Sequence, residues 1–218
     1  LHEESLNIRR EISDKMGIAN SLNNLCLVSH ALGNLEKAKE YQQESLDIFK
    51  EIGDRSGLSI ALNNLGNILC TMGKYQEAEN YCLESLHIRQ EAGDKVGIAY
   101  TLNNLGLVYF HLKKPEFSQS RYNEALKTAY EIKSTSLILD ILVGLSELIK
   151  EKEEAIKILF FIFEHKATYQ ETKDRIKPIL ENLTNNFSID KISSVKEESK
   201  YLVLEHIIDI FIKEEVKA

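Results

Sequence analysis

Three short sequence blocks recur along this chain at a constant interval of 40 residues. Residues 22–25 read Leu-Asn-Asn-Leu, and the same four residues return at 62–65 and 102–105. The pattern Glu-Ser-Leu-x-Ile occupies 4–8, 44–48 and 84–88, and Gly-Asp followed by a basic residue occupies 53–55 and 93–95, with a weaker copy at 13–15. Because independent blocks keep one interval, the chain is predicted to fold into stacked copies of a single helical unit.

Each 40-residue period is predicted to contain two helices. In the clearest period the first helix spans about 55–72 and is capped at its start by Asp54, whose side chain can accept from free amides of the first turn. The second helix spans about 75–92 and ends at Gly93, which can adopt a positive φ. Small residues, Gly66 and Ala78, stand where the two helices must approach closely. Residues 1–12 then form a second helix without its first helix, so we expect the chain to be a fragment of a longer protein.

The motifs of the period resemble a known repeat family. Asn-Leu-Gly at 64–66, Gly-Lys-Tyr at 73–75 and Glu-Ala at 77–78 resemble the tetratricopeptide repeat in its extended form of about 40 residues. The Leu-Asn-Asn-Leu block is similar to the repeats of kinesin light chains, the LGN/Pins adaptors and many bacterial signalling proteins. The resemblance implies an all-α fold: a right-handed superhelical α-solenoid of antiparallel helix pairs with C-terminal capping helices.

The period divides the chain into three predicted regions. Residues 1–133 form the repeat array, a half repeat plus three 40-residue units, and residues 134–167 form a degenerate fourth repeat with helices near 141–145 and 154–165. Residues 168–218 are predicted to form capping helices that seal the end of the array. Within this cap we expect a helix over 168–185 interrupted at Pro178, a loop at 185–188, and one amphipathic helix over 195–215. The tail also resembles the region that closes the repeat arrays of bacterial signalling ATPases and transcriptional regulators.

The resemblance implies that the first helices line a concave groove that holds a peptide. An Asn carboxamide offers donors and an acceptor, so a row of Asn side chains can pair with the backbone of an extended peptide. The second Asn of each pair can instead hold neighbouring helices together, and the aromatic and His side chains can either grip a ligand or pack. Leu27 and Ile60 also project into this groove. The residues predicted to bind the peptide are Asn20, Asn23, Asn24, His30, Asn63, Asn64, Asn67, Tyr100, Asn103, Asn104, Phe110 and His111.

The predicted groove carries no formal charge. Residues 21–32, 61–72 and 101–112 contain no Asp, Glu, Lys or Arg. Members of the family that capture acidic chaperone tails use Lys and Arg on these helices, so that activity is not expected here. Binding should therefore depend little on salt concentration.

Composition limits the classes of partner. The net charge of −7 and pI near 5.5 argue against nucleic acid, whose phosphates require clustered Lys and Arg. The longest apolar run, residues 158–163, is too short to cross a membrane. We expect the terminal helices to bury this run, the alternative being an interface to a partner or a second copy. Three cysteines without close spacing favour a reducing, cytoplasmic location.

No catalytic motif stands out in the sequence. It has no Gly-rich phosphate loop, no nucleophile motif and no metal-spaced His or Cys cluster, so we predict no enzymatic activity, no cofactor and no metal site. The predicted function is a protein–protein interaction module that binds an extended peptide or partner protein in an uncharged, Asn-lined groove. The alternative is the sensor or regulatory C-terminus of a bacterial signalling ATPase or transcriptional regulator that controls a missing effector domain. The oligomeric state is not indicated.

Overall fold

The structure, a computed structural model, describes residues 2–214, with side chains over residues 4–212. Within this range the chain forms twelve α-helices and no strand, which confirms the predicted all-α class. The chain divides into two compact units, Leu1–Lys114 and Pro115–Ala218. This division falls inside the third period, and the repeat-based boundaries stay a prediction. The first unit contains α1 (His2–Glu11), α2 (Lys15–Ala31), α3 (Leu35–Ile52), α4 (Arg55–Thr71), α5 (Tyr75–Ala92) and α6 (Lys95–His111). The second contains α7 (Pro115–Glu131), α8 (Thr135–Ser146), α9 (Lys152–Glu164), α10 (Gln170–Thr184), α11 (Ile189–Ser199) and α12 (Leu204–Glu214).

A residue with positive φ follows a helix at every twentieth position from 13 to 133. At each of these positions the next amide closes the same backbone turn; for example, Asp54 N donates to Phe49 O at 3.1 Å and Lys114 N donates to Tyr109 O at 3.0 Å. Glycine suits this conformation because a Cβ strains it. The seven residues are Ser13, Gly33, Gly53, Gly73, Gly93, Lys113 and Lys133.

Three aspartates start the first helices of the unit formed by α1–α6. The carboxylates of Asp14, Asp54 and Asp94 accept from the amide nitrogen three residues later, at 2.9, 3.1 and 2.9 Å. This side-chain cap satisfies an amide that has no partner inside the helix. The cap at Asp54 is the one predicted from the sequence, and it is confirmed.

The two helices of each repeat are joined by a buried hydroxyl and by close packing. Ser45 Oγ of α3 donates to Ala19 O of α2 at 2.9 Å, and Ser85 Oγ of α5 donates to Ser59 O of α4 at 2.7 Å. At the crossing of α4 and α5, a Cβ built on Gly66 would lie 2.4 Å from the sulfur of Cys82. The predicted close approach at Gly66 is therefore confirmed.

The start of each first helix is also held by the preceding helix, through two different chemistries. Arg9 Nη1 donates to Gly17 O, and Arg89 Nη1 donates to Gly97 O, both at 2.6 Å. At the equivalent position in between, the ring of Phe49 packs against Gly57 instead. The same contact point is thus polar in two repeats and apolar in one.

The helix α10 runs unbroken through Pro178, so the interruption predicted there is wrong. Proline removes one amide donor from the helix, and here it stands on the exposed side. The opposite side is anchored to α8: Thr172 Oγ1 donates to Asp140 Oδ1 at 3.1 Å, and Arg175 Nη2 donates to Asp140 O at 2.6 Å. These contacts hold the helix together across the missing bond.

The single helix predicted over 195–215 is wrong, because two helices, α11 and α12, occupy this region; residues 215–218 lie outside the described residues. The buried residues of α11 include Val195, and those of α12 include Phe211. In one continuous helix these two faces would point roughly 150° apart. The break after Ser199 lets α11 pack on α9 while α12 packs on α7.

The apolar run at residues 158–163 lies in the middle of α9. Its aliphatic members Ile158, Leu159 and Ile162 are buried, as predicted. The phenylalanines are half-buried, and two of them lie under lysine ammonium groups, Phe160 under Lys196 and Phe163 under Lys173. Across residues 2–214, the helices are all too short or too polar to span a lipid bilayer.

Substitutions at the left-handed positions should change stability in opposite directions. Gly93 has a φ of +67° and open space around a built Cβ, so Gly93→Ala should lower the free energy of unfolding by about 1 kcal/mol through backbone strain alone. Lys133→Gly, where φ is +56°, should leave it unchanged or raise it by up to about 1 kcal/mol. Urea unfolding followed by circular dichroism measures both. A neutral Gly93→Ala variant would contradict the strain at this turn.

A steric substitution tests the crossing of α4 and α5. Gly66→Ala should lower the free energy of unfolding by about 2 kcal/mol, because the added methyl group overlaps the Cys82 sulfur. Cys82→Ala should recover part of that loss in the double variant, giving a favourable coupling energy in a double-mutant cycle. Simple additivity of the two single effects would show that the two side chains are not in contact.

Candidate peptide-binding face

Equivalent side chains of α2, α4 and α6 form what we call the first-helix face. On α2 it comprises positions 20, 23, 24, 27, 30 and 31, and on α4 and α6 the positions 40 and 80 residues later. Positions spaced by three, four and seven residues lie on one side of a helix. The contact between α4 and α6, and the side-chain bonds described next, place the first helices side by side. The face therefore gathers most of the residues predicted to bind a peptide.

Carboxamides connect neighbouring first helices across this face. Asn64 Nδ2 of α4 donates to Asn23 Oδ1 of α2 at 2.9 Å. One repeat later, Asn104 Nδ2 of α6 donates to Asn63 Oδ1 of α4 at 3.0 Å. The second Asn of one repeat thus bonds to the first Asn of the repeat before it. Inter-helix bonding, which the sequence left open as an alternative role for these residues, is present.

Exposure separates the asparagines into three groups. Asn20 and Asn24 of α2 are exposed to solvent. Asn63 and Asn103 are only 8% and 6% exposed, which places them under the face as supports rather than in reach of a peptide. The half-buried members, each presenting part of its carboxamide, are Asn23, Asn64, Asn67 and Asn104.

The bonds across the face leave hydrogen-bonding capacity at its centre. A carboxamide has two N–H donors and an oxygen with two lone pairs. The bond from Asn64 to Asn23 uses one N–H group of Asn64, and the bond from Asn104 to Asn63 uses one N–H group of Asn104. Each of these side chains is fixed in orientation and still has an oxygen and a second N–H group with which to pair.

Two of the predicted ligand-gripping residues pack within the protein. The His111 ring stacks on Tyr75 of α5, with centroids 4.8 Å apart and planes 7° apart. Partial burial, and secondarily the nearby Lys113, lowers the pKa of His111 below its ordinary value of 6.5. The Phe110 ring meets His111 edge-on and lies beneath the ammonium group of Lys113. These contacts place both aromatic residues at the rim of the packed core.

The remaining predicted residues differ in their surroundings. His30 Nε2 lies 3.3 Å from Thr71 Oγ1, a further contact between α2 and α4. The Tyr100 side chain is 44% exposed at the start of α6. Ile60, which occupies the equivalent position on α4, is 41% exposed, and Leu27 on α2 is 51% exposed. Neither Ile60 nor Leu27 was among the residues predicted to bind, although an apolar residue at an outward position of the repeat was a readable signal for both.

The face stays electrically neutral in the folded protein. Burial raises the pKa of the Cys70 thiol on this face to about 11, so the thiol is uncharged near pH 7. The cations at the starts of α2 and α4 are paired with the second helices, Lys15 with Glu51 and Arg55 with Glu91. Within residues 2–214, no group of three His, Cys, Asp or Glu side chains is placed to hold a metal ion.

Comparison with known proteins gives two kinds of match. Residues 57–131 and residues 18–52, together about half of the chain, each match a sequence family described as tetratricopeptide repeat. The fold is similar to the crystal structure of BtubC (BKLC) from P. vanneervenii, with a TM-score of 0.68 and 16% sequence identity over 95% of this chain and 89% of that chain. At this identity the likeness shows a shared all-α repeat fold alone. No curated protein sequence gives a significant match.

The lowered pKa of His111 predicts a pH-dependent stability. Because the unfolded chain takes up a proton near pH 6.5 before the folded protein does, stability should be complete above that pH and should fall as the pH drops below it. His111→Phe keeps an aromatic ring against Tyr75 and removes the titration, so its urea midpoint should change less between pH 7.5 and pH 5.5. His165, whose pKa is also lowered by burial, contributes equally to both proteins. An identical pH dependence in the variant would contradict the prediction.

Proposed function

Because the chain belongs to the tetratricopeptide repeat family, whose repeats generally mediate protein–protein interactions, we propose that it binds an extended segment of a partner protein on the first-helix face. The observation that carries this proposal is the row of carboxamides at equivalent positions of three neighbouring first helices. Packed helices lie about 8–10 Å apart, and an extended chain advances about 3.3 Å per residue. One asparagine for roughly every three peptide residues can then pair with the peptide backbone.

The bonds between carboxamides favour this role rather than compete with it. Asn64 and Asn104 are each anchored by one N–H group to the neighbouring helix. A side chain whose rotamer is already fixed loses less conformational entropy when it binds a ligand. The inter-helix bond and the peptide bond are therefore two uses of one carboxamide, with the first preparing the second.

The proposed interaction depends on hydrogen bonds and apolar contact. Since the first-helix face lacks Asp, Glu, Lys and Arg, salt should screen little of the binding energy. The acidic net charge of −7 supports a protein partner over nucleic acid, and we propose no membrane partner, no cofactor and no catalytic activity. Three free, buried cysteines support a reducing compartment such as the cytoplasm.

The alternative function, a sensor or regulatory C-terminus that controls an effector domain, requires the same binding step. It adds a second domain whose activity changes when the first-helix face is occupied. Capture of a peptide segment is thus common to both functions, and it is the step that the described residues support.

A pair of matched variants tests the proposal. Asn24→Ala/Asn64→Ala/Asn104→Ala removes the carboxamides aimed at the peptide together with two inter-helix bonds. Asn23→Ala/Asn63→Ala removes the same two bonds and keeps those three carboxamides. In pull-downs from native lysate, with folding checked by circular dichroism, the triple variant should lose the partner that wild type captures, and the double variant should retain most of it.

Two further readings of this experiment are decisive. Capture by wild type should persist between 50 mM and 500 mM NaCl, because the face is uncharged. Equal capture by wild type and by the folded triple variant would show that the asparagines serve only to join helices, and would remove the first-helix face as the binding site.

A further inference from the structure

We propose that the first-helix face selects an uncharged peptide that places one bulky apolar side chain against Ile60 and Tyr100. This inference rests on the proposed function and deepens it by naming the chemistry of the partner. The two residues occupy the same position of consecutive repeats, 40 residues apart, on the neighbouring helices α4 and α6.

The location of this pair beside the carboxamide row is set by the bond between Asn63 and Asn104. That bond holds α4 and α6 together at 3.0 Å between the donor and acceptor atoms. Ile60 lies one helical turn before Asn63, and Tyr100 lies one turn before Asn104, so both side chains stand on the same side of their helices as the bond. A peptide paired with Asn64 and Asn104 would pass directly over Ile60 and Tyr100.

Their exposure shows that this pair has apolar surface left to bury. Ile60 is 41% exposed and Tyr100 is 44% exposed, whereas Ala61, Leu62 and Leu102 beside them are fully buried. Covering exposed apolar surface releases free energy in proportion to its area. A Leu, Ile, Phe or Tyr side chain of the partner matches that surface, and a small polar side chain does not.

The same column fixes where along the peptide the apolar side chain must lie. The equivalent position on α2 is Asn20, a polar and exposed residue. The apolar surface is therefore confined to α4 and α6, while the α2 end of the column offers hydrogen bonds. This asymmetry would hold the peptide in one register.

The charge of the face disfavours Asp, Glu, Lys and Arg in the bound segment. A peptide charge moved from water onto this surface would lose hydration with no opposite charge to meet. The nearby cation of Arg55 is already paired with Glu91 on α5, and that contact holds the pKa of Glu91 below its ordinary value. Neutral side chains carry no such cost, so an uncharged segment is the matching partner.

Selection from a phage-displayed library of random decapeptides tests this chemistry. On wild-type protein, the enriched sequences should be depleted in charged residues and should share one bulky apolar position. The same selection on Ile60→Ser/Tyr100→Ser should lose that apolar position. The control Ile8→Ser/Leu83→Ser, which alters exposed apolar residues of the second helices α1 and α5, should keep it.

A synthetic consensus peptide then gives the magnitude. Replacing its apolar residue by Ser, or using the Ile60→Ser/Tyr100→Ser protein, should each weaken binding about tenfold or more, and the two changes together should cost little more than either alone. Enriched peptides rich in charge, or an apolar preference that survives in the Ile60→Ser/Tyr100→Ser protein, would overturn this inference while leaving peptide binding intact. Failure of wild type to enrich any peptide, or undiminished binding to the Asn24→Ala/Asn64→Ala/Asn104→Ala protein, would instead overturn the proposed function and this inference with it.

Discussion

The regular ending of helices is the constraint on which the repeat unit depends. A left-handed residue at each twentieth position stops one helix, and a capping aspartate two halves of a period apart starts the next first helix. Because these signals keep strict spacing, equivalent residues of successive repeats meet at equivalent places. The two carboxamide bonds, Asn64 to Asn23 and Asn104 to Asn63, both join residues 41 positions apart. A shift of one residue in any turn would rotate the following helix by about 100° and break that alignment.

The first-helix face combines a structural and a binding role in the same side chains. Its carboxamides satisfy one another across helices, so they remain polar in a position that is otherwise packed against apolar neighbours. Charged residues would not serve in this place, because like charges on adjacent helices would repel and opposite charges would tie up the surface. Neutral amides permit both cohesion between repeats and hydrogen bonding to a ligand. This dual use explains why the asparagines recur while the residues around them, such as Ile60 and Tyr100, vary from repeat to repeat.

The sequence predicted the helices of the first unit well because each period carries its own start and stop signals. The cap at Asp54, the turn at Gly93 and the close approach at Gly66 are all local features that one residue type indicates. Prediction failed where tertiary contacts decided the outcome. The break between α11 and α12 follows from two different packing partners, α9 and α7, and the apolar pattern of the region does not reveal it. Likewise, α10 continues through Pro178 because of contacts to Asp140, a residue more than 30 positions away. Within the candidate site, the sequence placed the asparagines on one surface but could not show that Asn63 lies beneath it, since burial depends on how closely α4 and α6 pack.

The identical turns also make the first unit modular. A block from one capping aspartate to the next carries a complete first helix, second helix and turn, and its two ends have the same backbone geometry. Such a block can be duplicated or removed by recombination without disturbing the caps on either side. Each block contributes one more helix width of binding surface, so the number of blocks acts as a ruler for the length of peptide that is read. The side chain at the position of Ile60 and Tyr100 then specifies what is read at each mark, which allows length and specificity to evolve independently.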